Sequence, residues 1–141
     1  MKSRRKSQKG GSHSESSRIL IDTSVLIDLY KARKLEDYAG SAISVVTLFE
    51  FVRGIRSERK RVAVLKRLEK LFRVEPLDNV VILTASKIYR VLKKRGELIE
   101  DADIIIGATA IAKGYMVWTE NTGHFKRMSD FGLKLYKPRK R

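Results

Sequence analysis

Cysteine is absent from this sequence. That excludes disulfides, thiolate nucleophiles and thiolate zinc sites, fits a reducing cytosol, and leaves oxygen or imidazole to hold any metal. Imidazole is scarce too: His13 and His124 are the only histidines, which argues against a His-rich zinc centre. Glycine forms no phosphate-cradling pattern. Neither a GxxxxGK loop nor GxGxxG occurs, so a triphosphate-binding loop and a dinucleotide fold are not indicated. No apolar run approaches the roughly 18 residues of a membrane span, and the first 17 residues lack a signal peptide's apolar segment. These absences predict a soluble, cytoplasmic protein with no membrane partner. Asparagine occurs twice and glutamine once beside abundant Lys, Arg and Glu, a usage resembling that of heat-adapted proteins.

What is present is positive charge. The 31 Lys and Arg outnumber 16 Asp and Glu, giving a net +15 and a pI near 10.3, a balance that favours polyanionic partners and nucleic acid first among them. The tails hold much of it: residues 1–17 carry a net +4 and residues 134–141 a net +5, leaving +6 for the body. Residues 1–17 are polar, rich in Ser and Gly, and have no aliphatic side chain after Met1, so they are read as a disordered basic tail, a phosphate-capturing arm or a solubilising extension. The 141 residues are 43% hydrophobic, enough for one core. The reading is one domain over 18–137, followed by a basic end at 138–141.

The chain is organised around Arg18-Ile19-Leu20-Ile21, an apolar run that delivers Asp22 to a strand-to-helix turn. Val25, Leu26, Leu29 and Tyr30 then mark a helix over 23–31, with Asp28 on its solvent side. A turn and short helix lead to Gly40, and Ser41–Val46 reads as a second buried strand. Helical spacing resumes at Thr47 through Gly54. A longer helix, 58–71, carries Val62, Leu65, Leu68 and Phe72 as its stripe, widened by Val64 and Leu71. After a brief strand at 73–75, Pro76 and a cap at Asp78 or Asn79 open a helix whose stripe is Ile82, Ala85, Ile88, Tyr89 and Leu92. The segment 101–113 is apolar nearly all round and predicts a buried central helix stopped by Gly114. Strands follow at 115–119 and 133–136. Strands alternating with helices predict a three-layer α/β/α fold on a short parallel sheet of four to five strands, with ligands at the strands' carboxyl ends.

Three acids lie on apolar elements: Asp22, Glu50 and Asp103. Buried carboxylates need hydrogen bonds, protonation or a cation, and Mg2+ or Mn2+ would hold such a cluster with few protein ligands and several waters. Each acid also has a plainer reading. Asp22 is a good N-cap for the helix that follows, Glu50 could face solvent, and either Asp101 or Asp103 could cap the buried helix, whose dipole favours negative charge at that end. Asp103 shares a helical face with Gly107, Ala110 and Gly114, small residues that permit close approach and would press it toward the sheet. Asp22-Thr23-Ser24 lacks the second Asp of an aspartyl-phosphate phosphatase.

Taken together, Asp22-Thr23-Ser24-Val25-Leu26-Ile27-Asp28 after a strand, Glu50 in the helix after the second strand, Ala102-Asp103 opening Ile104 to Ala110, and Trp118-Thr119-Glu120-Asn121 resemble the PIN domain. The chain is similar to VapC-type toxins of toxin-antitoxin pairs over about residues 18–137. The resemblance implies a metal-dependent endoribonuclease hydrolysing RNA phosphodiester bonds, usually a homodimer, inhibited by a cognate antitoxin. It implies Asp22, Glu50 and Asp103 as ligands of Mg2+ or Mn2+, Thr23 or Ser24 supporting Asp22, Thr119 and Asn121 lining the pocket, and Asp101 as an auxiliary acid. One position departs from the family. Where it often reads Thr-x-Asn-x-x-Asp-Phe, this chain has Thr119-Glu120-Asn121-Thr122-Gly123-His124-Phe125. His124 therefore stands in the place of a fourth acid, to contact phosphate or to pack in a turn, with Glu120 or Asp101 as substitutes. The departure leaves two alternatives: a non-catalytic nucleic-acid-binding domain with a degenerate metal site, and a regulatory subunit that binds an antitoxin-like peptide.

Overall fold

The computed structural model describes residues 16–139. The basic tail read from residues 1–17 lies outside that range except for Ser16 and Ser17, and Ser17 is tied to the domain: its carbonyl accepts from Arg73 Nη2 at 2.8 Å.

Among the described residues, five strands form one parallel sheet in the order β3-β2-β1-β4-β5. They are β1 (Ile19–Ile21), β2 (Ala42–Ser44), β3 (Arg73–Glu75), β4 (Met116–Trp118) and β5 (Lys134–Leu135). The helices are α1 (Thr23–Lys31), α2 (Val45–Arg53), α3 (Glu58–Leu71), α4 (Asn79–Arg95), α5 (Asp101–Lys113) and α6 (Thr122–Lys126). β1 is central and buried on both faces, which is why it is apolar without alternation. Its side chains still point alternately up and down. Leu20 joins Ala42 and Val117 in a core closed by α4 and α5, whereas Ile19 and Ile21 join Ile43 in a second core closed by α1, α2 and α3. Those two cores are the three layers.

The chain runs from β1 outward to β2 and β3, then returns through α4 and α5 to place β4 on the other flank of β1. A crevice opens where the direction reverses, at the carboxyl ends of β1 and β4. Asp22 and Thr119 are the residues that leave those ends.

The helices over 23–31, 58–71 and 101–113 have the predicted bounds. Other expectations are corrected. The second strand stops at Ser44 and α2 starts at Val45 rather than Thr47, because Ser44 Oγ accepts from the Val46 amide at 3.0 Å and caps the helix there. In α3 the buried stripe is Val64 and Leu68, with Val62 exposed. In α4 it is Val81, Ile88 and Leu92, with Ile82 and Tyr89 outside. Neither Asp101 nor Asp103 occupies the N-cap of α5. Glu100 does, leaving Asp101 exposed and Asp103 turned inward. The small face of α5 does allow close approach, but to a side chain: a Cβ on Gly107 would lie 2.5 Å from Met128 Cε and Sδ.

Candidate active site

Asp22 continues the ladder of β1, its amide donating to the Trp118 carbonyl at 2.9 Å, and its own carbonyl accepts from Leu26. It is therefore the N-cap residue of α1 by backbone, yet its carboxylate makes no capping bond. Oδ2 instead accepts from Thr119 Oγ1 at 2.7 Å and Ser24 Oγ at 3.0 Å. Thr119 Oγ1 itself accepts from the Asn121 amide at 2.8 Å, so the hydroxyl hydrogen is directed to the acid. The Asp22 residue is only 4% exposed. Burial pushes its carboxyl above the usual value of 3.8; the hydroxyl bonds from Thr119 and Ser24 oppose that, and the negative charge of Asp103 adds to it.

Glu50 lies half-buried on α2, and its Oε1 accepts from Thr23 Oγ1 at 2.8 Å. Thr23 Oγ1 also lies 3.1 Å from Thr47 Oγ1. The hydroxyl next to Asp22 in sequence thus ties Glu50 to the start of α1. Arg53, one turn on, approaches Glu50 at 3.9 Å while largely in solvent. Asp103 is buried in the first turn of α5, and α2 packs against α5 at this end of the sheet. Asp103 Oδ2 accepts from His124 Nδ1 at 2.8 Å. A carboxylate offers only lone pairs, so the ring nitrogen facing it carries the hydrogen.

The structure therefore gathers Asp22, Asp103, Thr23, Ser24, Thr119 and His124 at the switch point, with Glu50 joined through Thr23. The expectation that Asn121 lines the pocket is met by its backbone, which holds Thr119. Asp101 is exposed. Among the described residues, no three carboxylate or imidazole groups converge closely enough to enclose an ion by themselves. The donor set nonetheless fits a hydrated dication. Asp22 is buried, is satisfied only by hydroxyls, and feels a second carboxylate. Mg2+ and Mn2+ are held through one or two carboxylates with water completing the shell.

Two features escaped the sequence reading. Thr47 is fully buried and shares the hydroxyl that holds Glu50; its signal was its place one turn before Glu50 on the same helix face. Asp28, read as a solvent-side residue, shares a hydrogen bond with Glu120, which raises the Glu120 carboxyl above its usual value. Only the folded chain brings those two together.

A parallel sheet in this order, an acid at the end of its central strand and a second on a buried helix together define the class: the chain belongs to the PIN domain family, whose model matches residues 19–130. More particularly, it is 54% identical over 122 residues to Ribonuclease VapC1 of Methanocaldococcus jannaschii, covering 86% of this chain and 89% of that one. It is 31% identical over 120 residues to Ribonuclease VapC1 of Rickettsia felis, covering 78% and 90%. The fold is similar to a chain in the 2.2 Å structure of VapBC-1 from nontypeable Haemophilus influenzae, with a TM-score of 0.72, 22% identity, and coverage of 84% of this chain and 96% of that one.

Proposed function

We propose that this chain is an endoribonuclease, the toxin of a toxin-antitoxin pair, acting in the cytoplasm with Mg2+ or Mn2+ at Asp22, Glu50 and Asp103. One observation carries the reading. Asp22 is buried at the mouth of the switch-point crevice, no Lys or Arg among the described residues pairs with it, and Asp103 adds a second negative charge. A protein that keeps such an acid ionised needs a cation from outside. The relatives named for ribonuclease activity supply the substrate class.

When bound, the dication supplies Lewis acidity: it neutralises charge on the attacked phosphoryl group and acidifies water. The chain's own residues do the rest. Thr119 and Ser24 hold the Asp22 carboxylate in one rotamer, Thr23 fixes Glu50, and Asp103 brings further negative charge to the same crevice. Basic side chains position the RNA backbone. Hydrolysis then proceeds by water adding to phosphorus in line as the bond to the leaving oxygen breaks.

Asp22→Asn and Asp103→Asn, assayed on an RNA oligonucleotide with Mn2+, are expected to abolish cleavage while leaving the circular dichroism unchanged. Cleavage that survives both substitutions, or persists in EDTA, would overturn the assignment. Binding of RNA without cleavage by the wild type would favour the binding-only alternative.

Two partners belong to the same proposal. Similarity to toxin-antitoxin complexes supports a cognate antitoxin. An apolar cavity of about 560 Å3 between α2 and α3, lined by Val45, Phe49, Val52 and Leu65 and flanked by Arg53 and Arg61, offers it an apolar segment with acidic neighbours. The homodimer implied by the resemblance was sought in the helices between Thr47 and Leu71. A richer exposed apolar set lies around α4, at Leu77, Val80, Ile82 and Leu83, and we assign a second copy to that face. Light scattering giving a monomer at micromolar concentration would refute the dimer.

A further inference from the structure

The candidate site differs from an all-carboxylate site at one atom. His124 stands at the start of α6, after β4, with Nδ1 donating to Asp103 Oδ2 at 2.8 Å. With the hydrogen on Nδ1, the lone pair of the neutral ring is on Nε2. That nitrogen makes no hydrogen bond to any described residue, and the side chain is 37% exposed against 11% for Asp103. A ring anchored through one nitrogen on a carboxylate, with the other nitrogen open, is the arrangement that orients imidazole as a metal ligand: the carboxylate fixes tautomer and ring plane and raises the basicity of the free nitrogen. The anchoring carboxylate here is itself one of the three candidate ligands.

We propose that His124 Nε2 is a nitrogen ligand of the divalent ion at this site, and that the chain consequently selects Mn2+ over Mg2+. The inference rests on the acid-site reading above and deepens it. Mg2+ prefers oxygen donors and gains little from imidazole, whereas transition ions accept it readily. Replacing a family acid by histidine therefore lowers the negative charge of the site, which weakens Mg2+ binding, and adds a donor that only the softer ion uses. The Asp103–His124 bond makes Asp103 a positioning residue for the ring as well as a candidate ligand.

The test is pulsed electron paramagnetic resonance on the full chain loaded with Mn2+, paired with calorimetric titration of Mn2+ and Mg2+. A nitrogen coupling to Mn2+ is expected that changes when histidine is labelled with 15N, disappears in His124→Asn and survives His13→Asn. His124→Asn is expected to weaken Mn2+ binding by about 10- to 100-fold. His124→Asp is expected to narrow the preference for Mn2+ over Mg2+ by about tenfold as an all-oxygen site is restored. Mn2+ binding that requires Asp22 but shows no nitrogen coupling, or an unchanged preference in His124→Asp, overturns this inference and leaves the acid site standing. Failure of the wild type to bind Mn2+ at all overturns both.

Discussion

Thr119→Val is the most direct probe of how the site is held together. Valine keeps the shape of threonine and removes one hydroxyl, the one that donates to Asp22 Oδ2 at 2.7 Å between two residues that are 8% and 4% exposed. A hydrogen bond to a charged group contributes about 1.5–3 kcal/mol, so the metal-free variant is expected to lose about 2 kcal/mol. For a domain of this size that is about 8 °C in Tm. In an Asp22→Asn background the same hydroxyl meets a neutral acceptor, and the loss falls to about 1 kcal/mol. The double-mutant cycle should therefore return a coupling of about 1 kcal/mol. The pH dependence has a defined sign. The Thr119 bond favours ionised Asp22, so its contribution is full at neutral pH and fades as pH falls through the folded pKa, which lies above 3.8. Urea unfolding of the four proteins at pH 7, repeated under acid conditions, supplies the measurements. An equal cost of Thr119→Val in both backgrounds at pH 7 would refute the argument that the hydroxyl is there for the charge.

Other outcomes follow from the same geometry. Asp22→Asn should stabilise the metal-free protein while abolishing metal binding. Because burial raises the folded pKa above 3.8, ionisation of Asp22 costs stability that is absent below 3.8 and develops as pH rises through the folded value; the stability difference between variant and wild type should therefore grow with pH, and a constant difference would contradict the burial argument. Gly107→Ala gains about 1 kcal/mol of helix propensity but drives a Cβ to 2.5 Å from the fully buried end of Met128. Overpacking of about 1–3 kcal/mol makes a net loss of about 1 kcal/mol the expected result of a denaturant titration, and a net gain would show that Met128 yields freely. Phe49→Glu, on a side chain that is 62% exposed at the α2–α3 cavity, should leave RNA cleavage intact while reducing co-purification with the protein encoded by an adjacent small reading frame.

The parts of the fold legible in the sequence were those with local causes. The apolar run before Asp22 and the cap at Ser57, whose hydroxyl accepts from Lys60, act within a few residues. So does the left-handed Gly114, with φ of 80°, which terminates α5. The phase of the apolar stripes on α3 and α4 was not legible. Both helices carry aliphatic residues on more than one face, and periodicity fixes the axis of a helix without saying which neighbour takes which side. Val45 and Val46 favour a strand by propensity, and the Ser44 cap overrode them. At the site, Asp22 and Asp103 were legible because acids on apolar elements demand compensation. The Asp103–His124 and Asp28–Glu120 pairs were not, since each joins residues whose proximity is created by the fold alone.

The arrangement of the sheet also sets an order in time. Asp22 is translated near the beginning of the domain, but the hydroxyl that orients its carboxylate sits at residue 119, on a strand that inserts beside β1 only after α4 and α5 have been made. A ribosome-bound chain ending anywhere before that strand holds two of its acids on separate, unclosed surfaces. The nascent polypeptide is thus inert for most of its synthesis, and competence arrives abruptly with the last fifth of the chain.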